Sequence, residues 1–250
     1  MNKLLPLRIK ISRTTLLVWW CLLMLNAGRW VFFCYGLMLL HEMAHVFCAF
    51  LLKCHVPFIT IYPFGLCAEV EGTDFLAFSQ RLLLYSAGAC VHLVVFAVIE
   101  RMYRMDAVSL IMKDYLLQLN MNYLLFNLLP VYPLDGYQIF ISFLYVLFPY
   151  RKALWISQGI SFCVLIWLIG SSGSLVVVLS CILLMLMNGM RYVQFEKLTK
   201  IFYLKRYLSE LNYPLKCHCF DDLYVYKTNV KMERNGCLSE KMMLKKILKL

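Results

Sequence analysis

Two histidines and a glutamate in the segment HEMAH, residues 41–45, have the types and spacing of a metal-assisted hydrolytic site. On a helix, His41 and His45 lie one turn apart on the same face, where both imidazoles can ligate one zinc ion. Glu42 is offset by one residue and can take a proton from water that such an ion activates. The segment is typical of peptide hydrolysis, with two histidine ligands and Glu42 as general base. By itself, however, the pattern also occurs by chance in many unrelated chains.

A catalytic zinc site usually has three protein ligands and an open fourth position. We expect the third ligand to be Asp135, in the segment NLLPVYPLDG at 127–136. Pro130 and Pro133 interrupt a helix, and Gly136 permits an unusual backbone angle. A broken helix at membrane depth is tolerated where it lines a buried or watery cavity, so we predict that Asp135 reaches the histidines on unwound backbone. The alternative is a Pro-Gly turn at the membrane surface with a solvated aspartate.

The elements that must position these residues are membrane helices. The chain has 250 residues, of which 62% are hydrophobic and 16% charged, and its mean hydropathy is +0.71. This composition excludes an ordinary soluble globular domain, and we predict an all-α polytopic membrane protein. Six apolar segments approach the length of about 20 residues that a spanning helix needs. They are Thr14–Ala27, Trp30–Leu52, Leu82–Ile99, Tyr115–Leu129, Ala153–Ile169 and Leu175–Met190.

HEMAH falls midway along the second predicted span. Ionisable residues near the centre of a bilayer are costly and are usually functional, and a bound dication would remove that cost. The fourth span carries unusually many polar residues for a lipid-facing helix. They are Gln118, Asn120, Asn122 and Asn127.

Basic residues predict the orientation of the spans and the surroundings of the chain. With six spans and a cytoplasmic N-terminus, 21 of the 25 Lys and Arg residues are cytoplasmic, so we expect both termini in the cytoplasm. The net charge is +11, and the basic residues lie beside apolar segments. This placement indicates that they face the lipid bilayer, and we expect no binding of nucleic acid. We predict a protease domain at 1–190 and a short basic cytoplasmic tail at 191–250, a truncated or degenerate regulatory appendage.

Three further segments have more than one interpretation. Val56–Glu71 mixes β-branched and aromatic residues around a Pro-Phe-Gly break, which predicts a membrane-associated β-hairpin. Its edge could bind a substrate strand, or the segment could be an inert re-entrant loop. His92 could contact substrate as an oxyanion donor or be a buried structural histidine. Cys217, His218 and Cys219 are adjacent and lack the spacing of a zinc finger, so we expect a loop without metal.

HEMAH followed about ninety residues later by NLLPVYPLDG resembles the site-2 protease family of intramembrane zinc metalloproteases, and within it the stage IV sporulation protein FB branch. The resemblance covers roughly residues 1–210 and includes PFGLCAEVE and SAGACVH in the same order. It implies that His41, His45 and Asp135 bind zinc, that Glu42 is the general base and that Asn127 holds the substrate backbone.

The sequence departs from the family pattern at two places. The usual AGP is Ala87-Gly88-Ala89, and the usual DGG is Asp135-Gly136-Tyr137. Because all four proposed catalytic residues are present, we expect altered specificity and retained activity. About 60 residues follow Arg191, too few for the nucleotide-binding domain that ends many members of the branch.

The predicted function is regulated intramembrane proteolysis of a membrane-associated protein, such as a sporulation pro-sigma factor. A membrane regulatory or inhibitory protein is a further expected partner, and the bacterial cytoplasmic membrane is the expected location. The alternative is a catalytically silent metal-binding escort or a transporter, since intramembrane His, Glu and Asp also suit transport. Transporters usually contain inverted repeats and paired broken helices, whereas this sequence has one clear broken segment.

Overall fold

The computed structural model describes residues 8–11, 28–62, 65–73, 76–208, 216–218, 222–233 and 236–248. The chain divides into two compact units, Met1–Leu128 and Leu129–Leu250. The predicted boundary after residue 190 lies inside the second unit and stays a prediction.

The first unit combines three helices with a small sheet. The helices are α1 (Gly28–Leu51), α2 (Phe78–Arg104) and α3 (Leu110–Asn127). The strands are β1 (Arg8–Ile11), β2 (His55–Tyr62) and β3 (Gly65–Glu71).

The predicted hairpin is present as β2 and β3, which pair antiparallel with Ile59 opposite Ala68. The sequence did not predict a third strand, β1, which pairs with β2 in parallel so that Ile9 lies opposite Ile59. β2 is therefore the central strand, and one outer edge of the described sheet belongs to β3.

Helices α1 and α2 pack along their length, and α3 packs against α2. Small and apolar side chains fill the contact below the hairpin, where Cys48, Ala49, Leu76 and Leu84 are buried in one cluster. The alanine and cysteine on α1 allow α2 to approach closely, which brings the side chains of the two helices into direct contact.

The second unit begins with three helices that follow the proline-containing segment and continues into the tail. Its helices are α4 (Asp135–Leu147), α5 (Tyr150–Ser171), α6 (Leu175–Val193), α7 (Phe195–Leu208) and α8 (Glu240–Leu248). Its strands are β4 (Lys216–His218), β5 (Thr228–Glu233) and β6 (Gly236–Leu238).

The predicted break in the helix is present, but Asp135 does not lie on unwound backbone. α3 ends at Asn127, residues 128–134 are irregular, and Asp135 is the first residue of α4. Pro133 accounts for this placement, because the residues just after a proline can start a helix that could not run through it. The sequence analysis missed α4 because its 13 residues are too short for a span.

Four described helices are long and apolar enough to cross a membrane. Their apolar segments are Phe33–Leu51, Phe78–Arg104, Tyr150–Ser171 and Leu175–Val193. They support an integral membrane protein, and the number six is not confirmed. The first predicted span, Thr14–Ala27, lies outside the described residues, and the fourth corresponds to α3, which also contains Lys113 and Asp114.

The tail packs onto the helices of its own unit. One buried cluster joins Tyr137 of α4 to Phe202, Leu223 and Leu244 of the tail. At the start of α5, the carboxylate of Asp222 accepts hydrogen bonds from the backbone N–H groups of Arg151 and Lys152 (3.0 and 3.4 Å). The prediction of a helical start to the tail is confirmed by α7.

Candidate metal centre

The imidazoles of His41 and His45 converge in the middle of α1. His41 is the ninth residue of the 19-residue apolar segment Phe33–Leu51. Both side chains are buried, with 2% and 6% of their surface exposed. Their Nε2 atoms lie 3.1 Å apart, as the spacing of four residues on a helix predicts.

Helix α2 holds both rings through their Nδ1 atoms. The Nδ1 atom of His45 donates to the backbone carbonyl of Leu84 at 2.8 Å. The Nδ1 atom of His41 lies 3.1 Å from Nε2 of His92. Leu84 and His92 are eight residues apart, or about two helical turns, so one face of α2 fixes both rings.

Gly88 lies midway between these two positions, and the histidines occupy the space that a side chain would need. A Cβ atom at Gly88 would lie 2.3 Å from Cε1 of His41 and 2.6 Å from Nε2 of His45. No carbon atom tolerates such distances, so glycine is required here by the close approach of the rings.

A third helix completes the surroundings of His41. On α3, Asn120 is 1% exposed and bonds the fully buried His92 twice. The Tyr123 ring packs edge-on against His41, with the ring centres 5.5 Å apart. The first unit therefore builds a cage of side chains around the histidine pair from α1, α2 and α3.

The donor set of this cage fits a zinc ion. Because Nδ1 of His45 donates to a carbonyl, the Nε2 atom of the neutral ring carries a lone pair. That atom faces the Nε2 atom of His41, and the missing side chain of Gly88 leaves room for both rings. Zinc sites commonly contain two imidazole ligands whose other ring nitrogen is fixed by a hydrogen bond to a neighbouring group.

The other predicted site residues are placed as follows. Glu42 is next to His41 on α1 and is partly buried. Asp135 belongs to the second unit, is partly buried and offers a carboxylate oxygen as a potential metal ligand. Asn127 is the last residue of α3, where its Nδ2 atom donates to the carbonyl of Tyr123 at 3.0 Å. The roles of these three residues stay predictions.

The sequence analysis missed three members of the cage: the Leu84 carbonyl, Gly88 and Asn120. His92 was predicted to be a substrate contact or a structural histidine, and its complete burial and its bonds to His41 and Asn120 favour the structural role. The spacing of four from Leu84 to Gly88 to His92 on one helical face is a signal that could have revealed Leu84 and Gly88, whereas Asn120 lies on another helix. Cys217 and His218 lie in strand β4 and not in the predicted loop. The expectation of no metal there is not tested, since Cys219 lies outside the described residues.

Comparison with known proteins identifies the fold. A site-2 protease from Methanocaldococcus jannaschii has a similar structure, with a TM-score of 0.53 and 21% sequence identity. The match covers 79% of this chain and 93% of that one. No protein-family model matches the sequence, and no curated protein does. The fold of the chain is thus that of a site-2 protease.

Proposed function

We propose that this protein is an intramembrane zinc metalloendopeptidase that hydrolyses a peptide bond of a membrane-associated protein. The observation that carries the proposal is the convergence of the His41 and His45 Nε2 atoms, 3.1 Å apart, midway along a helix of membrane-spanning length. Such a pair of buried imidazoles is costly in an apolar span unless it holds a cation. The site-2 protease fold supports the same function.

In this proposal His41, His45 and Asp135 are the protein ligands of the zinc ion. Asp135 lies in the first turn of α4, directly after a segment whose carbonyl groups are held by side chains of α5 and α6. When bound, a zinc ion supplies a Lewis acid that makes water nucleophilic near neutral pH and polarises a peptide carbonyl.

Glu42 is the general base. Its carboxylate would accept a proton from the attacking water and pass it to the leaving amine. Its position next to His41 and its partial burial suit this role. A general base must be accessible to the attacking water and must also lie close to the metal.

The substrate must be unwound before attack, since a helix hides its peptide groups in internal hydrogen bonds. We propose that the substrate pairs as a strand with the outer edge of β3, which β2 leaves open among the described strands. One amide hydrogen of Asn127 bonds Tyr123, and the other would donate to a substrate carbonyl.

The motif resemblance supports a finer proposal, in which the protein belongs to the stage IV sporulation protein FB branch and cuts a sporulation pro-sigma factor. Ala89 and Tyr137 replace residues usual in the family, and Tyr137 is fully buried with its hydroxyl 3.0 Å from that of Ser157. This replacement therefore affects packing behind Asp135 more directly than it affects substrate contact.

The substitution Glu42→Gln tests the function. We expect cleavage of a co-expressed membrane-associated pro-protein, measured as a size change on a gel, to be abolished because the amide cannot accept the proton. Zinc should remain bound, since the ligands are intact. The control is Glu100→Gln on α2, which removes a carboxylate that pairs with Lys113 at the helix end. Undiminished cleavage by Glu42→Gln would contradict the proposal and favour a non-hydrolytic escort.

A further inference from the structure

The orientation of Asn120 is fixed by its partners. Its Nδ2 atom donates to the backbone carbonyl of His92 at 3.0 Å, and a carbonyl can only accept. The Oδ1 atom of the same amide must then be the one that lies 2.6 Å from Nδ1 of His92. Because Oδ1 can only accept, the Nδ1 atom of His92 carries a proton.

This proton determines the rest of the chain of hydrogen bonds. A neutral imidazole protonated on Nδ1 has a lone pair on Nε2, so Nε2 of His92 accepts from Nδ1–H of His41 at 3.1 Å. With its proton on Nδ1, His41 presents an unprotonated Nε2 atom to Nε2 of His45. The chain of hydrogen bonds runs from Oδ1 of Asn120 through both ring nitrogens of His92 to Nδ1 of His41. It thus specifies the His41 tautomer whose Nε2 atom can bind a metal.

We propose that His92 and Asn120 are positioning residues that fix the tautomer and ring orientation of His41 as a zinc ligand. The inference rests on the proposed zinc site and deepens it. Leu84 does the same for His45 through a backbone carbonyl. For His41 this role falls to the His92 side chain, which Asn120 of α3 bonds in turn.

Burial distinguishes this role from simple packing. His92 is 0% and Asn120 is 1% exposed, and both lie on helices among apolar residues. A site that only needed filling would be occupied at lower cost by leucine, because buried polar groups must have every hydrogen bond satisfied. The hydrogen bonds from Asn120 on α3 through His92 to His41 on α1 explain why these two positions are polar, which the filling of space does not.

The experiment measures zinc affinity in the full-length, detergent-solubilised protein after removal of metal. The variants are His92→Leu, His92→Gln and Asn120→Leu, and the readouts are the zinc Kd from chelator competition and the visible absorption of the Co²⁺-loaded form. The control variants are His55→Leu, on the half-exposed start of β2, and Asn122→Leu, on the exposed face of α3.

We expect His92→Leu to weaken zinc binding about 10–100-fold, as the loss of an outer-sphere partner commonly does. His92→Gln should recover most of this loss, because its Oε1 atom can accept from Nδ1–H of His41. Asn120→Leu should weaken binding and broaden the Co²⁺ spectrum, since His92 is then free to take either tautomer. A role in packing alone would lower the unfolding temperature and leave the zinc Kd of the folded protein unchanged.

The inference is overturned if His92→Leu and Asn120→Leu bind zinc within twofold of the wild type, or if glutamine at position 92 restores nothing. It is also overturned if the wild type binds no zinc. Failure of the proposed protease function has a different signature. In that case the positioning variants change the zinc Kd as expected, but Glu42→Gln leaves cleavage unaltered.

Discussion

At the scale of single residues, each histidine of the pair is held at its Nδ1 atom by a partner on α2. The HEMAH spacing predicts the pair itself, because residues four apart lie on one face of a helix. Gly88, His92 and Asn120 come from other helices, and their contacts depend on the rotation of α2 and α3 about their axes. That rotation is determined by packing over the whole helix, which local spacing does not specify.

Gly88 gives the most direct prediction at this scale. We expect Gly88→Ala to weaken zinc binding about tenfold or more, because overpacking of a rigid site costs about 1–3 kcal/mol. The added methyl would have to displace the imidazole of His41, where its Cβ would lie 2.3 Å from Cε1. Isothermal titration of the metal-free protein with zinc measures the effect.

Gly36→Ala on α1 is the matched control, since a Cβ atom there meets nothing within 4 Å. Alanine also favours a helix more than glycine, so this variant should bind zinc as the wild type does and be slightly more stable. Equal zinc affinity of Gly88→Ala and Gly36→Ala would show that the close approach is not essential.

At the scale of elements, the prolines predicted the break before Asp135 but not what holds it. Ser161 on α5 donates to the carbonyl of Pro130 at 2.9 Å, and Asn188 on α6 donates to that of Tyr132 at 2.8 Å. These bonds satisfy carbonyl groups of the irregular segment 128–134, which lies between two helices. The hairpin was predictable from its β-branched and aromatic residues and its turn, whereas its parallel neighbour β1 lies about fifty residues earlier and has no local signal.

Asn188 can be tested as the clamp on this segment. Asn188→Leu should lower the free energy of unfolding by about 1–3 kcal/mol, because the Tyr132 carbonyl and the Gln158 amide each lose a buried partner. Thermal unfolding in detergent measures this loss. On the same helix, Ser180→Ala removes an exposed hydroxyl that bonds only its own helix and should change stability little. A loss no larger in Asn188→Leu than in Ser180→Ala would refute the clamp.

At the scale of the whole molecule, apolar composition identified a membrane protein, and four described helices agree with it. In the tail, Phe202, Leu223 and Leu244 share a buried core with Tyr137. The sequence does not indicate these contacts, because no local pattern links residues so distant along the chain. The description of the tail as a regulatory appendage stays a prediction. Within its unit, the tail is a structural support for the helices α4 and α5.

Asp222, which bonds the start of α5, makes the stability of this contact between the tail and α5 pH-dependent. Burial raises the pKa of its carboxyl, although hydrogen bonds from Tyr203, Leu223, Lys152 and Arg151 lower it in part. The folded state therefore binds the Asp222 proton at higher pH than the unfolded chain, in which the pKa of the carboxyl is near 3.8. As the pH rises from 3.8 through the raised pKa, ionisation of Asp222 lowers the free energy of unfolding. Asp222→Asn should flatten the pH dependence of the unfolding temperature there; an unchanged slope would refute the assignment.

The central claim is that His41 and His45 hold a catalytic zinc ion, and the zinc content of the purified protein tests it most directly. We expect about one zinc per chain in the wild type by elemental analysis, because His41 and His45 bring their Nε2 atoms to 3.1 Å from each other. His45→Ala should reduce bound zinc to background, whereas His55→Ala should leave it unchanged. Zinc retained in full by His45→Ala, or absent from the wild type, would contradict the account.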